Sequence, residues 1–254
     1  MDLQGAVAIV TGSSSGVGAA TAKLLASKGC HVVINYSRSR EGAENTAKAC
    51  AVLGVETLIC QADVSDDSAC RAMVDQAMAK WGKINALVNN AGTTKFNPHA
   101  ELEGLDKDDF FHLYGVNVVG PYQMIRAAEA GMRAAGDASV VNVASIAGIQ
   151  GIGSSVAYAA SKGALLTMTR SLARVMGPEI RINAVCPGFI QGEWLEAGLG
   201  AENYQRTLAH LESRAPLKKT CTPESVAETI VYFIEGHGII TGEQIILDGG
   251  AHLL

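Results

Sequence analysis

Tyr158 and Lys162 stand four residues apart in "SVAYAASKGALL" (residues 154–165), among alanines, serines and a glycine. On a helix this spacing sets both on one face, about 5–6 Å apart at Cβ. An ammonium beside a phenol favours the phenolate and lowers the tyrosine pKa, which would let the pair exchange a proton with a bound oxygen. Taken alone, the spacing favours a plainer arrangement, with the tyrosine packed on a neighbouring element and the lysine reaching water.

A second group of residues suits phosphate. "VTGSSSGVGAATAKLLASKG" follows a strand-like run and opens a helical one, with glycines at 12, 16 and 18. Gly12, Gly16 and Gly18, with Ser14 and Val17 between them, let the chain turn tightly and bring backbone N–H groups at a helix N-terminus against a pyrophosphate. A glycine triplet also serves any tight strand-to-helix turn, and its position in the first βα unit favours the ligand. The second strand ends in "NYSRSR". An NAD(H) site would have an acid there for the ribose 2′-hydroxyl. This chain has Tyr36, Ser37 and Arg38, and a guanidinium fork suits a 2′-phosphate. NADP(H) is therefore expected in preference to NAD(H), which stays possible.

These groups need a scaffold that brings distant loops together. The candidate strands are 6–11, 31–36, 57–62, 84–90, 139–144, 181–186 and 243–248, alternating with alanine-rich helical segments. Such alternation predicts a single α/β domain over 1–254, a doubly wound Rossmann-type parallel sheet of about seven strands with helices on both faces. Helices are expected to end at Gly29, Gly54, Gly82, Gly136 and Gly177. Ser65, and Thr222 before Pro223, read as N-caps. Residues 189–217 break the alternation and predict a lid over the substrate.

With 254 residues, 48% apolar and 18% charged, the chain can bury a large core. A net charge of −5 with no basic patch argues against nucleic acid. No membrane-length apolar run and no signal peptide are apparent. The six cysteines lie at least ten residues apart without a Cys-x-x-Cys pair, and read as reduced thiols, most of them buried, in a cytoplasmic protein. His99, His112 and His210 are too scattered for a metal site.

Together, "TGSSSGVG" (11–18), "ADV" (62–64), "NNAG" (89–92), "GVN" (115–117), "VASIAG" (143–148), "YAASK" (158–162), "PG" (187–188) and "TGEQIILDGG" (241–250) resemble the short-chain dehydrogenase/reductase family in order and spacing across nearly the whole chain. The resemblance implies hydride transfer between NADP(H) and a small alcohol or ketone, with a catalytic set of Asn117, Ser145, Tyr158 and Lys162. It further implies adenine contact at Asp63 and Val64, ribose passage along Asn90, Ala91 and Gly92, and nicotinamide contact at Pro187, Gly188 and Ile190. In that chemistry Tyr158 protonates the nascent alkoxide while Ser145 hydrogen-bonds the same oxygen. Acting as base instead, it needs its pKa brought from ~10 to ~7, about 4 kcal/mol, from Lys162 and oxidised nicotinamide. Asn117 would hold a water leading from Lys162 to solvent. Proteins of this kind usually form tetramers, partly through the helix of Tyr158 and the C-terminus, and the "AHLL" tail suits such an interface.

Two departures matter. Gly192 stands where the family commonly has a threonine for the carboxamide. One hydrogen bond of about 0.5–1.5 kcal/mol is then missing, which predicts weaker cofactor binding or a looser lid unless Glu193 or Trp194 compensates. Where carrier-protein reductases present cations, this chain has Ala134, Ala135 and Asp137, then Pro178 and Glu179, which would repel an acidic carrier. Reduction of 3-oxoacyl groups on an acyl carrier protein remains an alternative through Arg126 and Arg174, as does a non-catalytic NADP(H)-binding regulator on the same fold. The substrate pocket is expected along Thr94, Lys95 and Phe96, along 150–154, and under the lid.

Overall fold

Seven short runs rich in β-branched residues become seven parallel strands in the computed structural model, which describes residues 1–236 and 238–253. They are β1 (Val7–Val10), β2 (His31–Tyr36), β3 (Thr57–Gln61), β4 (Ala86–Asn89), β5 (Ala138–Val143), β6 (Ile180–Pro187) and β7 (Gln244–Leu247), in the spatial order β3-β2-β1-β4-β5-β6-β7. Every strand matches its expected range within two residues. β1, β4, β5 and β6 are buried throughout because helices cover both faces, which is why they read as unbroken apolar runs.

On one face α1 (Gly16–Ser27), α2 (Arg40–Ala51) and α10 (Pro223–Glu235) pack Leu25, Ala47, Ile230 and Phe233 against the sheet. On the other, α3 (Asp67–Trp81) and α5 (Gly120–Ala135) contribute Met73, Val74, Met124 and Met132. The long α7 (Val156–Met176) lies beside them through Leu165 and Leu166, preceded by the single turn α6 (Ala147–Gln150). Ahead of α5, α4 (Lys107–Tyr114) runs into it through Gly115–Val119, a π-helical turn within a continuous right-handed path.

Helix ends follow local chemistry with two corrections. Gly82 and Gly136 take the left-handed conformation as C-caps, and Thr222 and Ser225 form a capping box under Pro223. Gly177 is extended (φ −69°, ψ 163°), so α7 ends by straightening and needs no left-handed residue. The cap of α3 is Asp66, whose carboxylate accepts from the Ser68 and Ala69 N–H groups, because a carboxylate one residue nearer the helix reaches those donors better than Ser65. The Ser65 hydroxyl instead donates to Asp63, at 2.7 Å.

Between β6 and α10 lie α8 (Glu193–Leu199) and α9 (Ala201–Arg214). α8 has no buried residue, and α9 buries only Tyr204, whose hydroxyl accepts from Gly192 N at 3.1 Å. β1 pairs with β2 on one side and β4 on the other, so the loops after β1 and β4 leave toward opposite faces and open a crevice at the carboxyl edge of the sheet. No helix among the described residues is long and apolar enough to cross a membrane.

Candidate active site

The crevice is built on buried polar side chains. Asn35, at the end of β2, accepts from Gly12 N (2.9 Å) and donates to the carbonyls of Cys60 and Ala62 (3.3 and 3.1 Å), fixing the loop after β1 to the end of β3. Thr11 Oγ1 accepts from the Asn90 and Ala91 N–H groups, both at 3.0 Å. The Asn90 amide donates back to the Thr11 and Gly12 carbonyls, at 2.9 and 3.1 Å. A Cβ on Gly18 would lie 2.4 Å from Gly12 O, and one on Gly12 would lie 2.9 Å from Ala91 Cα. These glycines let α1 and the two loops close on each other, whereas at Gly16 the space is open.

Tyr158 and Lys162 share a face of α7, started by Ser155, whose hydroxyl accepts from Tyr158 N. Lys162 is buried and donates to Val143 O at 2.8 Å, its ammonium 5.7 Å from the centre of the Tyr158 ring. Burial lowers its pKa to about 8. The phenol moves opposite to the expected lowering: burial pushes it up to about 12, against an opposing interaction with the Ser145 hydroxyl. At 5.7 Å and bonded to a carbonyl, the ammonium does not offset the desolvation of the phenolate.

Ser145, after β5, accepts from Ala147 N at 3.1 Å and donates to Pro187 O at 3.4 Å. Asn117 lies in the π turn rather than in regular helix. Its side chain closes both polar groups of Thr93, accepting from Thr93 N (2.9 Å) and donating to Thr93 O (3.0 Å), and donates to Ser161 Oγ at 3.0 Å. Ser161 in turn donates to Tyr158 O at 2.7 Å, joining the π turn to the tyrosine backbone. A single-turn π segment of this kind is common at functional sites.

One cleft of about 1380 Å³ takes in most of the expected residues: Gly12, Ser14, Gly16, Val17, Ser37, Arg38, Asp63, Val64, Asn90, Ala91, Gly92, Tyr158, Lys162 and Ile190. Gly18 and Asn117 sit behind its wall, and Ser145, Pro187 and Gly188 lie outside that lining. Cys221 N donates to Phe189 O and Gln191 N to Cys221 O, so the N–H of Ile190 faces away from this pairing. Gly192 adopts φ +143°, a conformation that a threonine would hold only under strain, so its departure from the family pattern is a backbone requirement here. Glu193 and Trp194 line the cleft as well. Asn35, Thr11, Thr93 and Ser161 carry no motif of their own, and only their adjacency to the quoted segments could have pointed to them.

The cleft fits a dinucleotide. The first turn of α1 carries no side-chain cap, leaving its N–H groups for an anion. A Cβ on Gly92 would stand 3.7 Å from Lys162 Nζ and 3.5 Å from Asn117 Oδ1, in the space through which a ligand would reach the ammonium. A family model described as enoyl-(acyl carrier protein) reductase, one of the short-chain dehydrogenase/reductase models, matches residues 12–252. The chain belongs to the short-chain dehydrogenase/reductase family. As such it is an NAD(P)-dependent oxidoreductase, on a seven-stranded parallel sheet with helices on both faces.

Within the short-chain dehydrogenases/reductases the chain is 41% identical over 248 residues to a protein of Streptomyces violaceoruber named as ketoacyl reductase 2 of the granaticin polyketide synthase, covering 98% of this chain and 96% of that one. A solved structure described as a short-chain dehydrogenase/reductase from Burkholderia xenovorans is 39% identical with a TM-score of 0.91, covering 98% and 99%. An NAD+-bound xylitol dehydrogenase is 26% identical with a TM-score of 0.90, covering 98% and 100%. Among the described residues no group of acids, histidines and cysteines has the makings of a metal site.

Proposed function

We propose that the chain is a single-domain NADP(H)-dependent reductase or dehydrogenase of a small carbonyl or alcohol substrate. The observation that carries this reading is the meeting of Tyr158 and Lys162 with the uncapped start of α1 in one cleft. When bound, the nicotinamide supplies or takes up the hydride. The α1 N–H groups hold the pyrophosphate, Asp63 the adenine, and Lys162 the ribose nearest the reaction. Tyr158 stays protonated at its hydroxyl and gives that proton to the substrate oxygen, which the Ser145 hydroxyl also binds. Asn117 fixes Thr93 and, through Ser161, the backbone that carries the tyrosine. Residues 189–217 form the lid, which few buried side chains hold down.

The preference for NADP(H) rests on Arg38. It lies on the cleft wall beside Ser37, with no carboxylate partner among the described residues, while the nearby Arg40 is paired with Glu44 at 2.9 Å. Lys23 adds a second cation to that wall. Carrier-protein delivery is the weaker reading: of the two arginines that favour it, Arg126 is bound to Asp67 at 2.6 Å, which leaves Arg174 alone to meet an acidic carrier. All six cysteines are free and buried, which supports a reducing, cytoplasmic setting. Exposed apolar side chains along α4 to α5 (Phe111, Val119, Tyr122), on α10 (Tyr232) and near the C-terminus (Leu253) support a homotetramer. Of the "AHLL" tail, Leu254 lies outside the described residues.

Fluorescence titration with NADPH and NADH tests the cofactor assignment. NADPH is expected to bind at least tenfold tighter, with the preference lost in Arg38→Ala. Equal or tighter binding of NADH would overturn it.

A further inference from the structure

We infer that the substrate is an uncharged ketone or alcohol bearing a ring, received against Trp194 on the cleft wall and the Phe96 ring that meets it. This inference rests on the functional reading above. The two rings touch, with centroids 6.3 Å apart and planes inclined at 50°, and each keeps an open surface: Phe96 is 37% and Trp194 55% exposed. Gly198 on α8 faces the Phe96 ring directly: a Cβ there would fall 2.1 Å from it, and a larger residue would push the ring aside.

Trp194 lines the cleft of Tyr158 and Lys162, whereas Phe96, expected on the pocket, lies outside that lining and meets Trp194 from the side. Thr94 Oγ1 and Ser154 Oγ are hydrogen-bonded at 2.5 Å, and Asn97 N donates to Ser154 O at 2.8 Å. The strap carrying Phe96 is thereby tied four residues ahead of Tyr158. A ring laid on this surface buries apolar area on both sides, where a small polyol would leave two large aromatic faces wet.

Charge narrows the class further. Lys95, the cation nearest the wall in sequence, is bound to Asp109 at 2.5 Å. α8 opens with Glu193 on the cleft wall and Glu196 in the same turn. The remaining cations of the wall, Lys23 and Arg38, lie on α1 and after β2, and Lys162 is held by Val143. A substrate carboxylate or phosphate would therefore meet acid without a counter-ion, which works against anions.

The test compares ethyl 4-oxocyclohexanecarboxylate, its free carboxylate and butanone as substrates of the intact enzyme with NADPH. The neutral ring is expected to exceed the anion at least tenfold in kcat/KM. Trp194→Ala should lower the ratio of ring ketone to butanone at least fivefold, mainly through KM. A readout independent of turnover uses a Trp81→Phe background, leaving Trp194 the only tryptophan: the ring ester should quench its fluorescence and butanone should not. A carboxylate reduced as well as the ester, an unchanged ratio in Trp194→Ala, or no quenching overturns the inference while the reductase reading stands. No turnover of any of the three, with NADPH still bound, overturns the reductase reading and this inference with it.

Discussion

At the residue scale the site is set for giving a proton. Burial holds the Tyr158 phenol up at about 12 and draws the Lys162 ammonium down to about 8. Reduction needs the protonated phenol, which persists across the working pH range, so the group that titrates first as pH rises is Lys162. Reductive kcat/KM should be level below about pH 8 and decline above it, as the ammonium loses its proton. Oxidation needs the phenolate, and its kcat/KM should climb with pH up to about 8 and level off above it, where the ammonium is lost. Initial rates in both directions across pH check this, and an oxidative profile that is flat or falls below about pH 8 would contradict the assignment of Tyr158. The pairing of Tyr158 with Lys162 is legible in the spacing of "YAASK". The direction of the phenol shift is not, because it depends on the desolvation of a half-buried ring on the cleft wall and on the carbonyl that takes up the ammonium.

At the scale of elements, α7 is held by a buried polar chain that no motif announces. Asn89 donates to Asn142 across β4 and β5 (2.9 Å), Asn142 donates to Thr169 on α7 (2.9 Å), and Thr169 donates to Leu165 O. Replacing Thr169 by valine keeps the shape and leaves the Asn142 amide without its acceptor. The expected cost is about 1–3 kcal/mol of stability, read as an earlier midpoint in chemical denaturation. Unchanged stability would mean that the chain of amides does not anchor the helix. The strands and the glycine loop were readable because each is encoded locally, by unbroken apolar runs and by turns that only glycine permits. The π turn at Gly115–Val119 was not. "GVN" placed Asn117 between strands four and five, but a widened turn arises from what packs against it: Asn117 must reach both polar groups of Thr93. The glycine at 192 read as a lost hydrogen bond, and the structure gives it a different sense, a left-handed link whose N–H is taken by Tyr204.

At the scale of the whole molecule, the sheet brings residues from 12 to 194 to one edge, while α8 and α9 bury only Tyr204. Phe111, Tyr122, Tyr232 and Leu253 are exposed apolar residues that an assembly would cover. Light scattering coupled to size exclusion should give a mass near four chains of 26.4 kDa, and a monomer at micromolar concentration would contradict that assignment. If Tyr158 handles the proton while the rest of the cleft holds the cofactor, Tyr158→Phe separates the two, assayed for turnover and for NADPH binding on the same preparation. Turnover should fall by about 10²–10⁴-fold, the usual contribution of a general acid, while NADPH binds within about threefold of the unaltered protein. Turnover retained in that variant would contradict the account, and the cleft would then be a cofactor site whose chemistry lies elsewhere.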